Sequence, residues 1–285
     1  MICVAYSGKE SRNALDWAAE HAQRSGQTLT VLTVIRLPRS NFDETKGVPE
    51  ELVKAARHLL DEAANRAREL GVTELETEIG YGNITGAIVE LSREADLVVV
   101  GNRGRNETAS TLLGSVAYAV TSHASCPVVV VRDNVDHTWA DKRKIVVGID
   151  GSRSGVHAGF FAAEIAQQTG FDLEVIGVWD VGSIGHMSSE FAARVGVDEI
   201  HAKEEAKMQD WVDKAVAVLP ERYPGINITG NVRRGSPVVV LREEAADASL
   251  LVVGTRGRGG FAGLLLGSVS HRVIHDAGCP VAVIR

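Results

Sequence analysis

Short apolar runs alternate with amphipathic segments along the whole chain. In the second half, the β-branched run KIVVGID (144–150) precedes HAGFFAAEIAQQTG, which has helical spacing and ends in glycine. LEVIGVWD predicts the next strand, and the segment 199–223 predicts a long amphipathic helix. The continuous apolar run LLVVG (250–254) is typical of a strand that helices cover on both faces. The order is βαβαβαβαβ, which predicts an open, mostly parallel sheet with helices on both faces.

The same pattern occurs twice, so the chain is a tandem repeat. LVVVGNRGR at 97–105 matches LLVVGTRGR at 250–258, and LLGSV recurs at an identical offset of 153 residues. The polar segment DNVDHTWADKRK breaks the apolar rhythm between the two copies. We therefore predict two Rossmann-like α/β domains, each with a five-stranded sheet, at residues 1–133 and 144–285, with a linker at 134–143.

One glycine-rich stretch follows the fourth strand of each repeat. The carboxyl ends of the strands are where α/β sheets bind their ligands. Glycines there let the backbone turn tightly and present N–H groups, and the helix start that follows favours phosphate. The shared spacing is G-x2-G-x9-G-[ST], given by Gly101, Gly104, Gly114 and Ser115 in the first copy and by Gly254, Gly257, Gly267 and Ser268 in the second. Neither stretch is a P-loop, because neither contains the GxxxxGK[ST] pattern.

This spacing, between a VVVG strand and a CPV strand, resembles the ATP-binding motif of the universal stress protein family. GIDGS (148–152) resembles the first-strand signature of that family. The resemblance covers both halves of the chain. It implies ATP as ligand, commonly with Mg²⁺, although no carboxylate cluster in the sequence independently predicts a metal site.

The resemblance also implies residue roles. Asp150 and Gly151 would lie beside the nucleoside, Val178 would meet adenine through its backbone, and the motif residues would hold ribose and phosphates. Ser7 and Val34 occupy the matching positions of the first half. Since Ser7 replaces Asp150 and Glu107 adds negative charge to the first glycine stretch, the second domain is expected to be the stronger ATP site.

Charge and composition narrow the function further. The net charge of −7 argues against a nucleic-acid partner, and the longest apolar runs are too short to span a membrane. The N-terminal segment does not resemble a signal peptide, which predicts a cytoplasmic protein. His271 and His275 have a spacing that zinc can use, but a solvated or partly buried pair is the favoured interpretation.

We therefore expect an ATP-binding regulatory protein of the stress response, without efficient catalysis. An ATPase or a nucleotide-dependent transferase using the same pocket stays open as an alternative, as does a nucleotide-free scaffold that acts by dimerisation. The apolar final strands of the two halves, 127–132 and 280–285, would be edge strands, which proteins usually cover. The resemblance implies that such edges pair with each other, so we expect the domains to pack as a pseudo-dimer and two chains to form a homodimer.

Overall fold

The computed structural model describes residues 1–36, 47–102, 113–133, 142–180, 197–258 and 265–285. The chain divides into two compact units, Met1–Trp139 and Ala140–Arg285. Most of the predicted linker lies outside the described residues. Two tandem α/β domains are thus confirmed, whereas the exact domain boundaries stay a prediction.

The first unit is built on five parallel strands in the order β3-β2-β1-β4-β5. These strands are β1 (Ile2–Ala5), β2 (Leu29–Ile35), β3 (Leu75–Tyr81), β4 (Leu97–Gly101) and β5 (Val128–Val131). Its helices are α1 (Arg12–Ser25), α2 (Glu50–Glu69), α3 (Ile84–Leu91) and α4 (Ser115–His123), with a short 3₁₀ turn at Lys9–Ser11. Helix α1 packs against α2 and α3 against α4, so each face of the sheet carries a helical layer.

The second unit repeats this arrangement with the order β8-β7-β6-β9-β10, again with parallel neighbours. Its strands are β6 (Lys144–Ile149), β7 (Asp172–Trp179), β8 (Ile228–Arg234), β9 (Leu250–Gly254) and β10 (Val281–Ile284). Its helices are α5 (Arg153–Thr169), α6 (Val197–Arg222), α7 (Pro237–Glu244) and α8 (Ser268–Asp276), with a 3₁₀ turn at Ala245–Asp247.

Local sequence signals account for several element boundaries. Gly26 and Gly170 end α1 and α5 in the left-handed conformation, with φ of 66° and 68°. Ser236 is the N-cap of α7 and Pro237 its first residue, a position that suits proline, but the Ser236 hydroxyl makes no cap hydrogen bond. At the start of α3, the Asn83 side chain accepts a hydrogen bond of 2.9 Å from the Gly86 N–H.

In each unit the chain moves outward from the first strand to the third and then returns to the other side of the first strand. The first and fourth strands, β1 with β4 and β6 with β9, therefore flank a point where the strand order reverses. Ligands of open α/β sheets bind at the carboxyl end of this reversal. The register pairs Ile2 with Leu97 and Ile145 with Leu250, so corresponding residues of the two units can be compared directly.

Candidate functional site

A cleft of about 140 Å³ opens in the first unit at the carboxyl ends of β1, β2 and β4. Its lining is mainly apolar, with a few hydroxyl groups, and α3 and α4 provide its far wall. Four of the predicted site residues of this unit line it: Ser7, Val34, Gly101 and Gly114. Ser115 begins α4 beside the cleft and is exposed, whereas Gly104 lies outside the described residues, as do Arg103, Arg105 and Glu107.

Local hydrogen bonds fix the turn that carries Ser7. Gly8 has a φ of 110°, which lets the chain turn sharply after β1. The Ser7 N–H donates to Ser11 Oγ at 2.7 Å, and the Ser11 hydroxyl donates to the Gly8 carbonyl at 3.1 Å. Thr33 Oγ1 donates to the Tyr6 carbonyl at 2.9 Å and so ties β2 to the same turn. These hydrogen bonds provide partners for the buried polar groups next to the cleft.

The two ends of each glycine stretch are pinned in the same way in both units. In the first unit, the Asn102 N–H donates to the Val131 carbonyl at 3.0 Å, and the Gly114 N–H donates to the Asn102 carbonyl at 2.7 Å. In the second unit, the Thr255 N–H donates to the Ile284 carbonyl at 2.6 Å, and the Gly267 N–H donates to the Thr255 carbonyl at 2.7 Å. Each glycine stretch is therefore closed at its base by backbone hydrogen bonds.

Sequence reasoning missed these two base residues. Asn102 and Thr255 are almost fully buried and hold the base of the stretch. The Ser270 hydroxyl adds a hydrogen bond of 3.0 Å to the Thr255 carbonyl. The sequence contained a weak indication of their role, because a polar residue that directly follows a buried apolar strand needs a hydrogen-bond partner.

In the second unit, Asp150 is joined to the glycine stretch. The carboxylate of Asp150 accepts hydrogen bonds of 3.0 Å from the Ser152 N–H and of 3.0 Å from the Arg258 N–H. A Cβ atom on Gly257 would lie 2.6 Å from Asp150 Oδ2, so a larger residue there would displace this carboxylate. A Cβ atom on Gly254 would lie 2.9 Å from the backbone carbon of Ser154. Both glycines therefore allow a close approach, Gly257 to the turn after β6 and Gly254 to the first turn of α5.

The remaining predicted residues of the second unit lie around this turn. Gly267 is extended and precedes α8, and Ser268 is the first, exposed residue of that helix. The first described backbone hydrogen bond of α8 runs from the His271 N–H to the Gly267 carbonyl, so the N–H groups before it have no partner within the helix. Val178 lies near the end of β7, next to β6. Gly151 follows Asp150 with a φ of 75°.

The register confirms which residues correspond. Leu29 pairs with Ile2 and Leu173 pairs with Ile145, which gives Val34 and Val178 the same place in their sheets. Ser7 and Asp150 both precede a glycine with positive φ at the end of the first strand.

The described residues offer binding groups but little reactive chemistry. No charged side chain is among the described residues that line the cleft of the first unit. Among described residues no group of three or more His, Cys, Asp or Glu side chains could hold a metal ion. The His271 and His275 rings lie 4.8 Å apart. Burial raises the pKa of Cys3 and of Cys279 to about 12, so neither thiol is a nucleophile at neutral pH. No helix in the described part of the chain has the length and apolarity to cross a membrane.

Comparison with known proteins places this architecture in a family. The model of the universal stress protein family matches residues 1–132 and again 142–285. A universal stress protein of Mycolicibacterium smegmatis is 34% identical over 98% of this chain and 94% of its own length. Universal stress protein Rv2005c of Mycobacterium tuberculosis is 34% identical over 100% of this chain and 96% of its own length.

A solved structure shares the fold. The crystal structure of a universal stress protein from Archaeoglobus fulgidus superposes with a TM-score of 0.68 at 22% identity, covering 99% of this chain and 96% of that one. The two family matches also coincide with the two halves of the repeat. The chain belongs to the universal stress protein family, with two family domains in tandem.

Proposed function

We propose that this chain binds an adenine nucleotide, ATP with Mg²⁺, and acts as a ligand-controlled regulatory protein of the stress response. One observation carries the proposal: the cleft at the strand-order reversal of the first unit collects Ser7, Val34, Gly101 and Gly114. The second unit has Asp150, Val178, Gly254 and Gly267 at the corresponding positions.

The shape of the cleft supports a division of the ligand into two parts. A cavity of about 140 Å³ suits a flat ring system, and its apolar lining suits the faces of adenine. The ribose and phosphates would then extend past Ser7 towards Gly101, Gly114 and the N-terminus of α4. Free N–H groups at a helix N-terminus favour phosphate.

Magnesium would arrive with the nucleotide. Since the described residues contain no cluster of metal-binding side chains, Mg²⁺ would be held mainly by phosphate oxygens and water. In the second unit the carboxylate of Asp150 already accepts two backbone hydrogen bonds. We therefore assign Asp150 the task of fixing the glycine stretch next to the nucleoside.

We further propose that the second domain binds more tightly. Both domains have the glycine motif, but the second domain has Asp150 where the first has Ser7. The first domain also has an added acidic residue, Glu107, in its glycine stretch. Binding without efficient turnover fits the cleft of the first unit, because its described lining contains no carboxylate, imidazole or amine to activate water.

Paired variants of the full chain test both the ligand and the ranking. Ser115→Asp and Ser268→Asp each place a carboxylate at the exposed start of a helix, where it is compatible with the helix dipole but repels phosphate. We expect Ser268→Asp to weaken ATP binding about tenfold and Ser115→Asp to have a smaller effect on the tight site, both measured by isothermal titration with Mg²⁺. Ser125→Asp is the control and leaves binding unchanged, because it places a carboxylate at an exposed position before β5, at the amino ends of the strands.

The outcomes separate the alternatives. Absence of ATP binding, and of nucleotide released from the denatured purified protein, would overturn the proposal. A larger loss with Ser115→Asp would reverse the ranking of the domains. Rapid ATP hydrolysis that both aspartate variants reduce would identify an enzyme instead. Sedimentation with and without ATP tests the predicted homodimer.

A further inference from the structure

A second cavity, of about 220 Å³, lies in the second unit between α5 and α6. Gly155 and Gly159 of α5 form its floor, and the rings of Phe160 and Trp211 contribute its walls. Lys214 lies at its mouth. We call this cavity the α5–α6 groove. Of the predicted nucleotide-site residues, Gly151 alone lines the described part of it.

In the first unit, side chains occupy the corresponding space between α1 and α2. Asn13 donates to the Arg132 carbonyl, and the His157 ring contacts the Arg285 carbonyl at 2.7 Å, which puts α1 and α5 in the same register. Asp16 of α1 then corresponds to Phe160, and Leu15 to Gly159. Leu15 is fully buried, and Asp16 bridges to α2 through an Arg66 ion pair of 2.9 Å.

In the second unit, the corresponding space between α5 and α6 is open. A Cβ atom on Gly159 would meet only Leu219 Cδ1, at 3.8 Å, so there is room above the helix backbone. Val156 and Val218 are 51% and 46% exposed. Apolar side chains that face water beside an apolar cavity mark a place where a ligand can gain by burial.

Cations surround the two aromatic rings. The Arg258 guanidinium lies 4.6 Å from the centroid of the Trp211 ring, and Lys207 Nζ lies 5.3 Å from it. The Arg222 guanidinium lies 5.4 Å from the Phe160 ring centroid. The acidic neighbours on α6 have partners: Asp210 pairs with Lys214, and Asp213 accepts from Gln209 at 2.8 Å. Cationic groups therefore lie beside both aromatic rings of the groove.

We propose that the α5–α6 groove binds a small aromatic carboxylate. Its ring packs between Phe160 and Trp211, and its carboxylate takes the place of Asp210 on the Lys214 ammonium. The exchange is feasible because Lys214 and Asp210 form an exposed i,i+4 pair, a kind of contact that contributes little stability. The volume is sufficient, since apolar cavities of about 150 Å³ bind benzene. The proposal does not depend on nucleotide binding.

Indole-3-acetate and its neutral isostere, indole-3-acetamide, serve as probes for isothermal titration of the nucleotide-free full chain. We expect the acetate to bind about fivefold more tightly than the amide. Lys214→Gln removes this preference and leaves the affinity for the amide unchanged. Lys203→Gln is the matched control, because Lys203 forms the same kind of exposed pair with Glu199 on the same helix. No binding of either probe, or equal loss in both variants, would overturn the proposal.

Filling the floor of the groove gives an independent test. Gly159→Leu installs the residue of the first unit, and both probes should then fail to bind. Gly159→Ala covers the possibility that leucine prevents folding, because its methyl group fits and alanine favours a helix. We expect this variant to melt at a higher temperature and to bind both probes several-fold more weakly. Unchanged binding in Gly159→Ala would show that the probes bind elsewhere, which would contradict the proposal.

Discussion

At the scale of single residues, Gly151 carries two constraints that a side chain would violate. Its φ is 75°, and a Cβ atom would lie 2.3 Å from Cε2 of Trp211. We predict that Gly151→Ala lowers the free energy of unfolding by about 3 kcal/mol, from backbone strain and displacement of the indole. Gly170→Ala is the matched control: Gly170 has a similar φ of 68° but open space, so we expect a loss of about 1 kcal/mol. Urea unfolding measures both, and equal losses would refute the packing contribution.

His21 makes the stability of the first unit depend on pH. Burial lowers the pKa of His21 from 6.5 to about 4. The unfolded chain therefore takes up a proton at a higher pH than the folded chain does. The contribution to stability is complete above pH 6.5 and is lost as the pH falls towards 4, by about 3 kcal/mol in total.

His21→Ile tests this dependence, because the second unit has the buried Ile165 at the corresponding place on α5. We expect the variant to lose less stability than the native chain between pH 6.5 and 4.5 in urea titrations followed by tryptophan fluorescence. Parallel pH curves for the two proteins would contradict the prediction.

Residue contacts mark the limit of what the sequence could predict. The glycine motif predicted tight backbone turns, and two of its glycines, Gly254 and Gly257, lie close to neighbouring protein groups. Its spacing could not say that Gly257 lies against Asp150, because Arg258 and Asp150 meet across 108 residues of chain. Asn102 and Thr255 likewise gained their meaning only when the neighbouring strand ends supplied carbonyl partners. Contacts between distant segments follow from the fold and cannot be read from local patterns.

At the scale of elements, the Asp16–Arg66 pair joins α1 to α2. Arg66 Nε and Nη2 donate to the two carboxylate oxygens of Asp16 at 2.9 and 3.0 Å, and this contact raises the pKa of Arg66. The side chains are 10% and 32% exposed, so solvent screens them only partly. We predict a coupling energy of about 1–2 kcal/mol from the double-mutant cycle of Asp16→Ala and Arg66→Ala.

The exposed Lys203–Glu199 pair on α6 is the control for this cycle. Its coupling should stay below about 0.5 kcal/mol. A coupling of similar size for both pairs would mean that the partial burial of Asp16 adds nothing.

Element order was predictable because buried parallel strands leave continuous apolar runs, and helices leave a 3.6-residue period. The runs LVVVG and LLVVG became β4 and β9 with these bounds. The difference between the α1–α2 contact and the α5–α6 contact was not predictable. The difference arises because Gly159 replaces Leu15 and Phe160 replaces Asp16 at corresponding positions of the two helices. The effect of these replacements depends on how α1 packs against α2 and α5 against α6.

At the scale of the whole molecule, the two domains share a fold but differ in the groups at corresponding positions. Two such places are the position of Asp150, where the first domain has Ser7, and the α5–α6 groove, where Gly159 replaces Leu15. Arg258 connects these two places. Its N–H donates to Asp150 at 3.0 Å, and its guanidinium lies over the Trp211 ring.

This connection predicts that the groove and the nucleotide site are coupled. A carboxylate ligand in the α5–α6 groove should hold Trp211, and through it Arg258, in the position that fixes Asp150, the residue that we propose to lie beside the nucleoside. We expect saturating indole-3-acetate to tighten ATP binding about threefold, and ATP to tighten indole-3-acetate binding by an equal factor, since linkage is reciprocal. Arg258→Ala keeps the backbone N–H but removes the stacked guanidinium, so the factor should fall to one. Arg256→Ala, in the same stretch, should keep it, and a factor that survives in Arg258→Ala would rule out this route of coupling.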